Sequence, residues 1–176
     1  MKVKFCILGE PTGKGRPRFR NAGAFVQTYT PKGTADYEKL VKMEYHRQCN
    51  DFRFPDDQML EVKIAAYYGI PKSTSKKKRA MMTSHQIRPM KKPDLDNVVK
   101  ILLDPLNNVA YKDDVQIVDC QVRKFYSETP RVVVTIREAV PLDEETIAII
   151  REKAQEEERV KREFWGADAP ESEETT

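Results

Sequence analysis

The alternation of apolar side chains between Leu60 and Tyr68 constrains the fold of this chain more than any other feature. Leu60, Val62, Ile64, Ala66 and Tyr68 occupy every second position of a nine-residue segment. Successive side chains of a β-strand point to opposite faces, so this period places all of these apolar groups on one face. The pattern therefore predicts a strand whose apolar face lies in a hydrophobic core.

Shorter alternating segments predict further strands. Residues 2–8 alternate in the same manner, and residues 24–29 have the composition of a second short strand. Residues 118–122 and 132–136 also alternate, and the turn-forming residues 127–130 lie between them. Two alternating segments joined by a short turn are typical of a hairpin. We therefore predict that these last two strands pair with each other in an antiparallel hairpin.

Helical signals are interspersed with the strands. Thr34 is the predicted N-cap of a helix over 35–49, and Ser75 is the predicted N-cap of a short basic helix. Asp96 or Asn97 can cap a further helix that runs to about Leu106. The elements do not repeat as regular strand–helix–strand units, which favours an α+β fold over a doubly wound sheet. We expect a mixed sheet that includes the antiparallel hairpin and has flanking helices.

Charge divides the chain into two parts. Residues 141–176 contain 12 acidic and 5 basic side chains, a sum of −7, whereas the other 140 residues sum to +10. A basic body of this kind is typical of proteins that bind nucleic acid. We predict a single folded domain over 1–140, which carries this basic charge. The remainder, 141–176, is predicted to be a charged helical extension that ends in an acidic, disordered tail.

The cysteines and the apolar segments indicate the compartment. Cys6, Cys49 and Cys120 are odd in number and far apart, so the pattern predicts reduced, buried thiols rather than disulfides or a zinc site. No apolar run approaches the roughly 18 residues of a membrane span. The N-terminal segment also lacks the apolar stretch of a signal peptide. We expect a cytoplasmic protein that does not contact a membrane.

Basic residues gather in an N-terminal loop and in a short predicted helix. Residues 9–18 form a loop rich in glycine and positive charge, but it lacks the spacing of a phosphate-binding glycine loop. Residues 76–79 are a run of basic side chains, which either contacts phosphates or is a solvated face. The predicted DNA contacts are Lys14, Arg16, Arg18, Lys76, Lys77, Lys78, Arg79 and Lys92.

Acidic residues flank the predicted helix that ends near Leu106. Asp94 and Asp96 are two residues apart, so in extended backbone they would point to the same side. Lys100 follows Asp96 by about one helical turn, which places its charge near the carboxylates. Asp114 returns to this region after a turn. Asp residues are also common as caps and turn formers, and that explanation remains open for each acid taken alone.

An acidic cluster of this kind is costly without a cation. Two like charges about 4 Å apart repel by about 4 kcal/mol at an effective dielectric near 20. Carboxylate oxygens suit Mg²⁺ or Mn²⁺, and such a metal activates water and polarises a scissile phosphate. Lys100 would add positive charge for the pentacovalent phosphate or orient the nucleophile. The cluster therefore predicts a metal-dependent nuclease, whereas His46 and His85 are too isolated for a histidine-ligated metal.

With these motifs in place, the sequence resembles the RusA family of Holliday junction resolvases, which occur in bacterial and prophage genomes. The central match is the block 92–100, followed by Asp104 and by residues 113–117. Two outlying segments, 14–18 and 29–38, also fit the family pattern. The resemblance extends over about residues 3–137 and is most specific in the central block.

The resemblance implies both the activity and the site. It implies an α+β homodimer that resolves four-way DNA junctions by paired, Mg²⁺-dependent nicks in recombination and repair. Carried over residue by residue, it implies that Asp94, Asp96 and Asp114 bind metal and are catalytic, with Lys100 assisting. Asp113 is adjacent to Asp114 and is the alternate ligand.

Two other functions are compatible with the pattern. The first is a nucleic-acid-binding module without catalysis, but such a module gains nothing from carboxylates facing phosphates. The second is another Mg²⁺-dependent phosphoryl enzyme that acts on nucleotides. The absence of a phosphate-cradling glycine loop argues against that function.

Overall fold

The structure, a computed structural model, describes residues 1–16, 18–22 and 25–165. Within 18–29 and at Trp165 it describes no side chains. The chain divides into two compact units, Met1–Ala139 and a second unit that begins at Val140. Each unit is described by itself.

The first unit contains the strands of the described chain and three of its helices. The strands are β1 Lys2–Leu8, β2 Arg18–Ala22, β3 Phe25–Tyr29, β4 Leu60–Gly69, β5 Ile117–Ser127 and β6 Arg131–Glu138. The helices are α1 Lys32–Cys49, α2 Lys76–Thr83 and α3 Leu95–Leu103, and short 3₁₀ turns follow at Asp104–Leu106 and Asp114–Gln116.

The strands form one mixed sheet and one separate ribbon. The order in the four-stranded sheet is β1-β6-β4-β5, with β6 antiparallel to both of its neighbours and β5 parallel to β4. Strands β2 and β3 pair only with each other, as an antiparallel ribbon. A mixed sheet combined with helices is an α+β fold, which confirms the predicted fold class.

The predicted hairpin of the last two strands is wrong. Strands β5 and β6 follow each other in sequence, but β4 lies between them in the sheet. Ile64 of β4 pairs with Val122 of β5 on one side and with Val134 of β6 on the other. The central position satisfies the backbone hydrogen bonds along both edges of β4, the strand with the most complete apolar face. Strand β5 lies at the edge of the sheet, and none of its residues is buried.

Helices α1 and α3 contribute to one core with the sheet. Tyr45 of α1 meets Phe5 of β1 edge to face, with ring centroids 5.4 Å apart. Val98, Ile101 and Leu102 of α3 are fully buried, as the sequence predicts. This burial fixes which side of α3 remains at the surface, and Asp96 and Lys100 lie there.

Two helix starts test the capping predictions. Ser75 caps α2, since its Oγ accepts a hydrogen bond from the Lys78 amide at 3.4 Å. The predicted Thr34 cap is wrong, because α1 begins at Lys32 with Pro31 as its N-cap. Thr34 is buried within the first turn, and its Oγ1 accepts a hydrogen bond from the Gly15 amide at 3.2 Å. A long-range contact thus uses the hydroxyl that was expected to cap the helix.

The prediction that the cysteines are buried holds only in part. All three are free thiols, of which Cys49 is buried, Cys6 is half-buried and Cys120 is exposed. Cys120 lies on the edge strand β5, none of whose residues is buried.

The second unit contains helix α4, Glu144–Trp165. Asp143 precedes the helix, and its Oδ1 accepts a hydrogen bond from the Thr146 amide at 2.7 Å, as expected of an N-cap. The predicted acidic tail falls largely on 166–176, outside the described residues. Among the described residues, no helix has the length and apolar character needed to span a membrane.

Candidate active site

Asp94 and Asp96 lie at the start of α3. Asp94 is the N-cap, with extended backbone, and its carbonyl oxygen accepts the Val98 amide at 3.1 Å. The prediction that both acids share an extended segment is therefore wrong, as is the predicted cap at Asp96 or Asn97. The helix begins at Leu95, directly after Asp94, and Asp is a favourable N-cap residue. The Asp94 side chain makes no cap hydrogen bond, so its carboxylate is not used by the helix.

Asp96 and Lys100 lie one turn apart on α3 and line the same cavity, which has a volume of about 350 Å³. Both side chains are exposed. The residues that line this cavity come from the N-terminal loop and from α3 with its end: Lys14, Gly15, Arg16, Asp96, Asn97, Lys100 and Asp104. The proximity of Asp96 and Lys100 expected from their spacing is therefore present, and the cavity contains charges of both signs.

Lys14 joins the N-terminal loop to two carboxylates. Its ammonium forms an ion pair with Asp104 and another with Glu38 at 3.2 Å. Burial lowers the pKa of Lys14, but the hydrogen bonds and charges of Asp104 and Glu38 outweigh it and leave the pKa above its usual range. Lys14 is thus already paired with carboxylates in this structure, and a phosphate contact by it stays a prediction.

Asp114 is the first residue of the second 3₁₀ turn and lies near the acids Asp113 and Asp104. Burial raises the pKa of Asp114. A hydrogen bond with Asp113 and the negative charges of Asp113 and Asp104 raise it further. Asp113 caps the turn, with its Oδ1 accepting the Val115 amide at 3.1 Å. Asp113 thus has a structural role at the start of the turn, and cation binding by Asp114, with Asp113 as the alternate ligand, stays a prediction.

Buried Tyr111 supports this acidic region. Its hydroxyl donates a hydrogen bond to the Leu103 carbonyl at 2.8 Å, at the end of α3. Burial raises the pKa of Tyr111 well above its usual range, and the charges of Asp114, Asp104 and Asp113 add to that effect. Tyr111 therefore remains a neutral hydrogen-bond donor that links the end of α3 to the segment carrying Asp114.

The donor set has the chemistry of a site for a hard divalent cation. Burial raises the pKa of Asp114 most, and the negative charges of Asp113 and Asp104 raise it further; a cation bound there would offset those charges. Within the described part of the chain, however, no three acidic, histidine or cysteine side chains lie close enough together to hold a metal ion. Asp94, Asp96 and Asp114 as a joint ligand set remain a prediction.

The predicted DNA contacts differ in exposure and in their partners. Lys76, Lys77 and Lys78 are exposed on α2, and Lys92 is exposed just before Asp94. Arg16 is exposed and lines the cavity with Asp96. The side chain of Arg18 lies outside the described residues. Arg79 differs from its neighbours, because both oxygens of Glu128 accept hydrogen bonds from its Nη1 at 2.6 Å.

Sequence reasoning did not assign a site role to Asp104 or Glu38. Asp104 ends α3, lines the cavity and raises the pKa of Asp114, so it connects the Asp96 and Asp114 regions. A signal was present, since Asp96, Lys100 and Asp104 recur at intervals of four residues on one helix face. Glu38 ends the segment 29–38 that fits the family pattern, but its ion pair with Lys14 could not be predicted, because only the fold brings α1 to the N-terminal loop.

Comparison with known proteins identifies the family of the chain. The family model of "Endodeoxyribonuclease RusA" matches residues 9–137, which include the whole candidate site. The match assigns the chain to the class of endodeoxyribonucleases. More narrowly, the chain belongs to the RusA family of Holliday junction endonucleases, which confirms the resemblance seen in the sequence. It is also similar to "Uncharacterized protein YqaN" of Bacillus subtilis (strain 168), at 39% identity over 138 residues, 77% of this chain and 96% of that protein.

Proposed function

We propose that the protein is a divalent-metal-dependent endonuclease that resolves four-way DNA junctions by paired nicks, in recombination and repair. The observation that carries the proposal is the cavity shared by Asp96, Lys100 and Asp104 within the region that matches the family. Its DNA substrate would place its action in the cytoplasm, on host or prophage DNA.

In this proposal Asp94, Asp96 and Asp114 hold Mg²⁺ or Mn²⁺. When bound, the cation supplies positive charge to the scissile phosphate and to the leaving oxygen. Lys100 lies one turn from Asp96 on the same cavity. In this proposal its ammonium holds a phosphate oxygen there. The chain contributes the geometry: α3 fixes Asp96 and Lys100 relative to each other, and its burial prevents the helix from rotating.

The basic body would bind the arms of the junction. Residues outside 141–176 sum to +10, and Lys76, Lys77 and Lys78 are exposed in one turn of α2. Such charges contact phosphates regardless of sequence, so they supply affinity, while the branch geometry decides where cleavage occurs.

A homodimer completes the proposal. A four-way junction needs nicks on two opposed strands, and a two-fold dimer supplies two sites that match this symmetry. Sedimentation at micromolar concentration should show about twice 20.4 kDa. Mixed dimers of wild-type and Asp96→Asn subunits should nick one strand and seldom complete resolution. A monomer on the junction, or a mixed dimer that cuts both strands in one encounter, would contradict the coordinated mechanism.

The decisive experiment compares a synthetic four-way junction with a duplex of the same arm sequence. Each is incubated with the protein, with and without Mg²⁺, and the nicks are mapped on all strands. We expect paired, symmetric nicks near the branch point that require the metal, and none on the duplex. Asp96→Asn protein prepared in parallel excludes a contaminating nuclease. Equal cleavage of both substrates, or metal-independent cleavage, would reject the proposal.

A further inference from the structure

Lys124 contacts the main chain that leads into the candidate site. Its Nζ donates a hydrogen bond to the carbonyl oxygen of Lys91 at 2.9 Å and another to that of Pro93 at 2.5 Å. These carbonyls belong to the segment that immediately precedes Asp94. A single ammonium from β5 therefore holds the backbone on both sides of residue 92.

The position of Lys124 in the sheet explains this reach. It pairs with Ala66 of β4 in the parallel register, and Ala66 is fully buried in the core. Residues that pair across strands share a face of the sheet, so Lys124 lies on the face that packs in the core. The small Ala66 side chain beside it leaves room for the lysine to extend toward the α3 segment.

The charge of Lys124 has no acidic partner in the described part of the chain. It lies instead 5.7 Å from the centre of the ring of Tyr68, which is 1% exposed. Lys91 places its own ammonium 5.0 Å from the same ring centre. The Lys124 ammonium thus contacts two carbonyl oxygens and one aromatic face. These three contacts favour a single position of the side chain.

Asp94 depends on its main chain for its position. Its side chain makes no cap hydrogen bond, so no local contact with the helix fixes the carboxylate. The N-terminal loop supplies a second anchor nearby, where the Lys14 amide donates to the Asn97 carbonyl at 2.9 Å. Lys124, on β5, anchors the segment before α3 through the carbonyl oxygens of Lys91 and Pro93.

We infer that Lys124 is a positioning residue of the nuclease, which sets the place of the Asp94 carboxylate by holding the carbonyls of Lys91 and Pro93. This inference rests on the proposed function. It assigns the edge strand β5 a part in catalysis that its own exposed side chains do not indicate. A carboxylate displaced by about 1 Å can lower a rate by about a hundredfold, so a main-chain clamp of this kind is sufficient to matter.

The test compares Lys124→Met with Lys91→Met. Both variants remove one positive charge beside the Tyr68 ring, but only the first removes hydrogen bonds to the main chain. We expect Lys124→Met to slow single-turnover junction cleavage by about ten- to a hundredfold while the junction Kd stays within about twofold of wild type. Lys91→Met should cleave at close to the wild-type rate. Thermal unfolding of each variant checks that it is folded.

Lys124→Gln is the second variant if Lys124→Met does not fold. The glutamine amide is one bond shorter and cannot reach both carbonyl oxygens, so cleavage should again be slower than in Lys91→Met. Wild-type rates in the Lys124 variants would overturn the inference. Weaker junction binding with an unchanged rate would overturn it too, since Lys124 would then be a DNA contact.

Amide hydrogen exchange separates this inference from the proposed function. A peptide covering 91–98 should exchange faster in Lys124→Met than in Lys91→Met, because the clamp on the helix entry is lost. If the wild-type protein cleaves no junction, the proposed function fails, and exchange alone then decides the clamp. Equal exchange in both variants would overturn it.

Discussion

Lys14 contacts both ends of α3: its amide donates to the Asn97 carbonyl at 2.9 Å, and its ammonium pairs with Asp104. Asn97 lies in the first turn of the helix and Asp104 is its C-cap. One residue of the N-terminal loop therefore spans the helix that carries Asp96 and Lys100. The loop and α3 form a single structural unit, and changes in the loop should affect the site.

Gly13 tests this coupling. A Cβ at Gly13 would overlap that of Pro93 and press on that of Asn97, so Gly13→Ala must shift the loop or α3. We expect a loss of about 1–3 kcal/mol in the free energy of unfolding, and slower cleavage. Gly33→Ala is the matched control, since its Cβ would meet open space in the first turn of α1. Denaturant unfolding of Gly33→Ala should show equal or higher stability, by up to about 1 kcal/mol.

Asp94→Asn and Asp96→Asn test the acids directly. Each substitution should abolish Mg²⁺-dependent cleavage, because it replaces a charged oxygen ligand of the metal with a neutral amide. Junction binding measured in EDTA should be unchanged or tighter, since losing negative charge cannot weaken attraction to phosphate. Normal cleavage by both variants would show that these acids serve only the start of the helix.

Lys100→Ala tests whether the lysine acts on the transition state. The side chain is exposed, and it lines the cavity with Asp96. Removing it should lower the single-turnover rate by about a hundredfold or more, with little change in Kd. Stopped assays at saturating protein measure the rate, and filter binding measures the affinity. An equal loss in both would instead identify Lys100 as a clamp on the DNA backbone.

The basic turn of α2 should govern the salt dependence of binding. Lys76, Lys77 and Lys78 are exposed, and the plot of log affinity against log salt has a slope of about −0.9 per neutralised phosphate. The triple alanine variant should flatten that slope by up to about 2.7. Arg79→Ala should flatten it less, since Glu128 already pairs with that guanidinium. An unchanged slope in the triple variant would show that these three lysines contact solvent and not phosphates.

Asp114 should make stability depend on pH. Burial and the charges of Asp113 and Asp104 raise its pKa in the folded state above 3.8, so the fold favours the protonated form. Stability is therefore lost as pH rises from 3.8 through the higher folded value. Asp114→Asn should raise Tm at pH 7, and the gain should shrink as the pH falls through that window.

Magnesium provides the complementary measurement for Asp114. A cation bound by this carboxylate would offset the repulsion, so Mg²⁺ should raise the Tm of the wild-type protein at pH 7. The increase should be smaller in Asp114→Asn. If Mg²⁺ shifts both proteins equally, the cation binds elsewhere.

The elements with strong local patterns were predictable. Strand β4 follows from the period of two in its apolar residues, and the buried face of α3 follows from Val98, Ile101 and Leu102. The family was also evident, because its central motif is contiguous in the chain. Strand β2 was not predicted, since Arg18–Ala22 has no apolar alternation.

Pairing partners were not predictable from the same signals. The turn after β5 is compatible with a hairpin, yet β4 separates β5 from β6 in the sheet. Which strand becomes central depends on where all the apolar faces can be buried together, and that is a property of the whole sheet. The same dependence leaves Cys120 at an exposed edge.

By itself, the sequence determined the residue types of the site and their spacing along α3, because Asp96 and Lys100 are neighbours on any helix. Only the tertiary structure decided what surrounds them. Lys14 reaches Asp104 and Glu38, and Lys124 reaches the carbonyls before Asp94, across separations that no local pattern encodes. The physical reason is that these contacts form when buried strands and helices pack into one core, and packing joins segments that are distant in the chain.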